Sequence, residues 1–99
     1  MKVKIQSLHF NADQKLIDHV EEKVSKLNHF YDAILGTNVI LKLEKSKQAD
    51  NKVAEIKLHI PGNDLFAKRQ CTTFEEATDT AVEALKKQIK KRKEKVRGI

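Results

Sequence analysis

The sequence predicts an α+β domain of order β-α-β-β-β-α, with a four-stranded sheet and two helices packed on one of its faces. Three observations predict it. Four short segments alternate apolar with polar residues, the period of a strand with one buried face. Two longer segments repeat apolar residues at three- and four-residue steps, the period of a helix with one buried stripe. A length of 99 residues, 39% hydrophobic and 34% charged, suits a single domain (1–99) with one modest core. Strands that are apolar on one side need cover on that side only, so both helices belong there and the other face meets water.

In "KVKI" (2–5) Val3 and Ile5 share a face. Leu8 and Phe10 have the opposite parity, which predicts a bend or bulge near Ser7. Asn11 or Asp13 can cap the first helix, because a short polar side chain there accepts from an unpaired helical N–H. Its stripe is Leu16, Ile17, Val20, Val24, Leu27 and Tyr31, with Asp18, His19, Glu21, Glu22, Lys23 and Lys26 assigned to solvent. Gly36 ends the connection to "TNVILKLEK" (37–45), where Val39, Leu41 and Leu43 point inward and Asn38, Lys42 and Glu44 outward. "SKQADN" (46–51) reads as a polar turn. "VAEIKLHI" (53–60) sets Ala54, Ile56, Leu58 and Ile60 against Glu55, Lys57 and His59, the last an ordinary surface histidine. "PGND" (61–64) is a tight turn, since Pro presets φ and Gly accepts positive φ. "LFAKRQCT" (65–72) is a strand of weaker pattern, and alternation leaves the direction of Arg69 open. Thr73 and Glu76 make a capping box for a helix whose stripe is Phe74, Ala77, Ala81, Val82, Leu85 and Ile89. Extended to Arg97 it would be roughly 35 Å long. Only Val96 is apolar after Ile89, so its last two turns are expected to project beyond the sheet.

Several classes of function are excluded by what the sequence lacks. No apolar run approaches the roughly 20 residues that cross a bilayer, and "MKVKIQSLHF" lacks the apolar stretch of a signal peptide. The expected location is therefore the cytoplasm. Cys71 is alone, so no internal disulfide can form. His9, His19, His29 and His59 make no metal-ligand spacing with it, and Gly36, Gly62 and Gly98 are isolated rather than gathered in a nucleotide loop. No Ser/His/Asp or Cys/His set stands out. The sequence thus predicts no catalytic residue, no metal, no cofactor and no small-molecule substrate: the protein is not read as an enzyme.

What stands out is "KKQIKKRKEKVR" (86–97). Lys86, Lys87, Lys90, Lys91, Arg92, Lys93, Lys95 and Arg97 face one acid, Glu94, so the segment is +7 while the chain is +6 and residues 1–85 sum to −1. Complementing the helix dipole accounts for one or two of these lysines, because that effect acts only over the last turn. The others repel one another at i,i+4, as in Lys86/Lys90, Lys87/Lys91, Lys91/Lys95 and Lys93/Arg97. A helix charged beyond its own benefit implies a polyanionic partner. A membrane-binding helix needs bulky apolar residues opposite its charges, and here the segment has only Ile89 and Val96. Phosphate backbone needs none, so nucleic acid is preferred over membrane. Outward strand positions carry Lys42, Glu44, Glu55, Lys57 and His59, with Phe66 the one candidate aromatic, so no base-stacking platform is expected. Recognition of folded RNA by shape and phosphate fits better. A double-stranded-RNA-binding domain shares the β-β-β-α portion but has its basic cluster near the start of the last helix, where this chain is acidic.

Three blocks carry a resemblance to a known family: "LIDHVEEKVSKLNHFYD" (16–32), "AEIKLHIPGNDLFA" (54–67) and "TFEEATDTAVEALKKQIKKRKEK" (73–95). End to end the chain resembles the ribosome hibernation promoting factors, the family that includes the ribosome-associated inhibitor protein Y, and it looks most like the short form. The resemblance implies binding to the small ribosomal subunit and its 16S rRNA, in the channel of mRNA and of the A- and P-site tRNAs. Translation would be inhibited by occlusion in stationary phase or under stress. Carried over by motif, Lys86, Lys87, Lys90, Lys91, Arg92, Lys93, Lys95 and Arg97 would line the rRNA contact, with Lys23 and Lys26 of "EEKVSKL" as secondary contacts. A second, ribosome-dimerising factor is a further implied partner. Two features depart from the family. Ser7 and Leu8 stand where members often have Gly followed by Arg or Lys, so no basic contact is expected there. The chain also stops just after the last helix, so the ribosome pairing done by the second domain of long members is not expected of it. The alternative reading is a general structured-RNA binder or RNA chaperone. An interaction domain using helix 74–97 against a protein would instead bind independently of salt.

Overall fold

A computed structural model of the chain describes residues 2–44 and 50–96. Along them run β1 (Lys2–Leu8), α1 (Gln14–Phe30), β2 (Gly36–Leu43), β3 (Lys52–Ile60), β4 (Asn63–Cys71) and α2 (Phe74–Val96), the α+β order that the periodicities predict. The strands form one sheet of order β1-β2-β3-β4. β1 and β2 are parallel and the other two pairs antiparallel, so α1 serves as the crossover that a parallel pair requires.

Local chemistry sets the helix starts. Of the two possible caps, Asp13 is the one used: its backbone is extended and its carboxylate accepts from the Leu16 N–H at 2.9 Å. Thr73 Oγ1 accepts from the Glu76 N–H at 3.1 Å, which is half of the expected capping box. The Glu76 carboxylate is engaged instead by the Thr72 hydroxyl, 3.3 Å away. Phe10 and Phe74 stack with centroids 4.4 Å apart and planes 9° from parallel, tying the exit of β1 to the start of α2.

One apolar cluster joins the inner faces of both helices to one face of the sheet. Val20, Val24, Leu27, Leu41, Ile56, Leu58, Leu85 and Ile89 are all at 0% exposure. Pairing assigns the faces: Val39, Ile56 and Ala67 form one inward row, and Leu41, Ala54 and Arg69 form the next. Arg69 therefore stands on the helix-bearing face, a direction that alternation along β4 could not supply. Asn38, Lys57 and Phe66 make an outward row, and Ile40, Glu55 and Lys68 another.

Three expectations are corrected. No bend interrupts β1 at Ser7, for the ladder runs on through Leu8, opposite Lys42; the left-handed residue is His9, at φ 70°. The parity change that suggested a bulge places Leu8 on the outward face, where Val53 also lies in the same row yet is fully buried. The "PGND" turn shrinks to Pro61 and Gly62, with Ile60 already paired to Asn63; Gly62 takes φ 84°, the positive φ that such a turn requires at its second central position. Finally, beyond Ile89, which is buried as expected, α2 does not simply project, because Arg92 Nη2 donates to the Pro61 carbonyl at 2.8 Å. Of the polar turn expected at 46–51, only Asp50 and Asn51 lie within the described residues, and the Asn51 carbonyl accepts from the Glu44 N–H at 2.9 Å.

Ile89→Ala is expected to destabilise the protein by roughly 2–5 kcal/mol, the range for emptying a buried aliphatic site, and Asp13→Ala by about 1 kcal/mol through the lost cap. Urea unfolding followed by circular dichroism measures both.

Candidate nucleic-acid interface

The basic segment takes its meaning from how α2 lies against α1. His19 on α1 meets Asp79 on α2, Nε2 to Oδ1 at 2.8 Å. Further along, Lys93 of α2 reaches the end of α1: its amine donates to the Phe30 carbonyl at 2.9 Å and sits 4.7 Å from the centre of the Phe30 ring and 5.7 Å from that of Tyr31. Contacts thus advance in the same direction along both helices, so α1 and α2 run side by side and parallel. His19 was expected in solvent; it is half-buried, because α2 covers that flank of α1.

Helical geometry then assigns the facing rows. Residues 19, 23, 26 and 30 follow one another at steps of three and four on α1, as do 79, 83, 86, 90 and 93 on α2, so each row keeps to one flank. Lys23 and Lys26 consequently border the seam from one side, Lys86 and Lys90 from the other. Acids share its early part: Glu22 lies 3.8 Å from Lys26 and Glu83 lies 3.4 Å from Lys86. No ion pair restrains Lys23 or Lys90 among the described residues. Charge in the seam therefore grades from the acidic first turns of α2, with Glu75 and Glu76, toward its basic end.

Lys87 and Lys91 are set roughly 100° round the helix from Lys86 and Lys90. They face away from α1, toward the flank of β4. A groove of about 480 Å³ there is lined by Arg69, Thr80, Glu83, Ala84, Lys87 and Gln88. A second, of about 260 Å³, continues past Gln88 to Lys91, Arg92, Leu65 and Asn63. The predicted cations thus divide. Lys23, Lys26, Lys86 and Lys90 come together at the seam, and Lys87 and Lys91 join Arg69 at the groove. Arg92 and Lys93 are held by backbone carbonyls as clamps of α2. Lys95 belongs to the last turn of α2, and Arg97 lies outside the described residues. Sequence reasoning left Arg69 out of the site, and its register opposite Ala54 is the signal that puts it there.

The outward sheet face offers different chemistry. Lys42 bridges Glu55 at 2.8 Å and Glu44 at 3.3 Å, and these hydrogen bonds hold its amine above the ordinary lysine value. His59 lies between Asn38, at 3.1 Å, and Asp64, at 3.2 Å. Phe66, 48% exposed, is the single large aromatic among the described residues of this face. Among the described residues no group of three or more His, Cys, Asp and Glu could hold a metal ion, and no helix is long and apolar enough to cross a membrane.

Comparison with known proteins agrees with the fold. The profile of the Sigma 54 modulation protein / S30EA ribosomal protein family matches residues 3–97. The chain belongs to this family. A ribosome hibernation promoting factor of Pseudomonas putida is 33% identical over 99 residues, covering all of this chain and 93% of its own. The Protein Y N-terminal domain of Thermus thermophilus superposes with a TM-score of 0.78 at 26% identity, covering 92% of this chain and 98% of that one. A ribosomal subunit interface protein of Coxiella burnetii reaches 0.83 over 94% of this chain and 98% of its own; at 19% identity it speaks for the fold alone. The hibernation factor family is one of ribosome-associated, non-enzymatic proteins.

The clamp role separates two neighbouring lysines of this family member. Lys93→Ala is expected to lower stability by about 1 kcal/mol, through the lost carbonyl and ring contacts, while Lys90→Ala stays within about 0.5 kcal/mol of the unaltered protein. Chemical denaturation of the two variants side by side checks this.

Proposed function

We propose that this protein binds the small ribosomal subunit through its 16S rRNA and silences idle ribosomes by occupying the channel of mRNA and the A- and P-site tRNAs. The observation that carries the reading is the seam, where Lys23 and Lys26 face Lys86 and Lys90 across two parallel helices in a chain of this family. Rows of cations on rigid elements match a folded phosphate surface. They need no base contacts to dock, and among the described residues the outward face supplies one exposed aromatic where sequence reading by stacking would use several. The Pseudomonas putida relative, a ribosome hibernation promoting factor, supports the same role.

The mechanism is steric. Lysines that displace condensed counterions from rRNA supply affinity, and the body of the domain then stands where mRNA and tRNA must pass. No bond is made or broken. Because counterion release is the driving force, affinity is expected to fall about 10³-fold or more between 50 and 200 mM salt if roughly six phosphate contacts form.

Co-sedimentation with purified 30S, 50S and 70S particles tests the proposal. Saturable binding near one copy per 30S subunit is expected, displaced by mRNA with tRNA and abolished by changing Lys23, Lys26, Lys86 and Lys90 together to Gln. Equal binding to 50S subunits and unrelated RNA would mark a general RNA binder instead. Salt-insensitive binding would point to a protein partner.

A further inference from the structure

We propose that the groove between α2 and the β4 edge is a second phosphate-binding track, with Arg69 as its anchoring residue, so that α2 is gripped by RNA backbone on two sides. The inference rests on the ribosome-binding reading and adds a surface and a residue to it. Thr80, Ala84, Lys87 and Lys91 follow one another at steps of three and four along one flank of α2. Opposite them stand the helix-side residues of β4, Asn63, Leu65 and Arg69. The two stretches of groove share Gln88, whose amide donates to the Phe66 carbonyl at 2.9 Å, and so form one open trough along the helix.

Charge selects the occupant. Arg69, Lys87 and Lys91 have no ion-pair partner among the described residues, and the one carboxylate lining the trough, Glu83, lies 3.4 Å from the Lys86 amine. Arg69 spends one Nη1 hydrogen on the Lys68 carbonyl at 2.8 Å, which fixes its guanidinium and leaves the remaining N–H groups to a ligand. A guanidinium held this way suits a phosphate, which it can take in bidentate fashion. A small metabolite would want an enclosed, mostly apolar pocket; this trough is open, cationic along its length and furnished with the amides of Gln88 and Asn63 for sugar or base. An extended phosphodiester strand fits it. The seam cations and the trough cations lie on different flanks of α2, so a single strand lying in the seam would leave the trough cations without a partner.

Binding to 30S subunits over a salt series, by filter retention at 50–200 mM, tests the second track with four variants beside the unaltered protein. Each lost phosphate contact lowers the slope of log affinity against log salt by about 0.7–0.9. Arg69→Gln is expected to lower it by one such step, Arg69→Gln with Lys91→Gln by two, and Arg69→Lys by none. The fourth, with Lys23, Lys26, Lys86 and Lys90 changed to Gln, reports on the seam. Thermal melts accompany each variant, because Arg69 also covers the β4 edge. An unaltered slope in Arg69→Gln overturns the inference, whether or not affinity drops. So does an equal loss in Arg69→Gln and Arg69→Lys, which would mark a role in the fold. In either case the seam variant still losing 30S binding leaves the hibernation reading standing. Absence of 30S binding by the unaltered protein removes both.

Discussion

The parallel packing of α1 and α2 over a single apolar sheet face is the constraint on which the rest depends. Strands with one buried side oblige both helices to share that side, and Val20, Val24, Leu27, Leu85 and Ile89 meet the sheet at zero exposure. Lying next to each other, the helices present their flanks to one another and to solvent. The lysines of one therefore come to stand opposite those of the other. The fold collects charge as a by-product of hiding hydrophobic surface.

Holding that charge in place is a separate task. A helix that ends in many cations repels itself, and isolated in water its last turns would fray. Here the basic end is tied at several points: Gln88 to the Phe66 carbonyl, Arg92 to that of Pro61, and Lys93 to that of Phe30 and two aromatic rings. Two of the eight cations in the segment thus act inward so that their neighbours can act outward. Preordered side chains lose less entropy when a ligand arrives, which raises affinity without adding a contact.

The same side chains protect an edge. β4 borders the sheet on one side, and an uncovered strand edge invites pairing with other chains. Gln88 occupies the carbonyl of Phe66 and Arg69 that of Lys68, two residues further on, so successive groups along this edge are satisfied from within. The outward face is kept polar by other means, the Lys42–Glu55–Glu44 group and the Asn38–His59–Asp64 chain.

Sequence by itself determined the element order, the inward faces of β2 and β3, the core stripes of both helices and the concentration of positive charge in residues 86–97. Each of these follows from periodicity or from charge counted along a segment, and such signals are local. Only the tertiary structure decided what depends on two segments meeting. His19 reads as a solvated residue until Asp79 arrives from sixty positions away. Arg69 has no direction until β3 fixes its register. Lys93 is indistinguishable from Lys90 in the sequence, yet one closes on Phe30 and the other stays exposed, because a three-residue step carries the first round to where α1 ends. Burial patterns are written in a chain, but which flank of a helix has a neighbour is settled only when the neighbour packs.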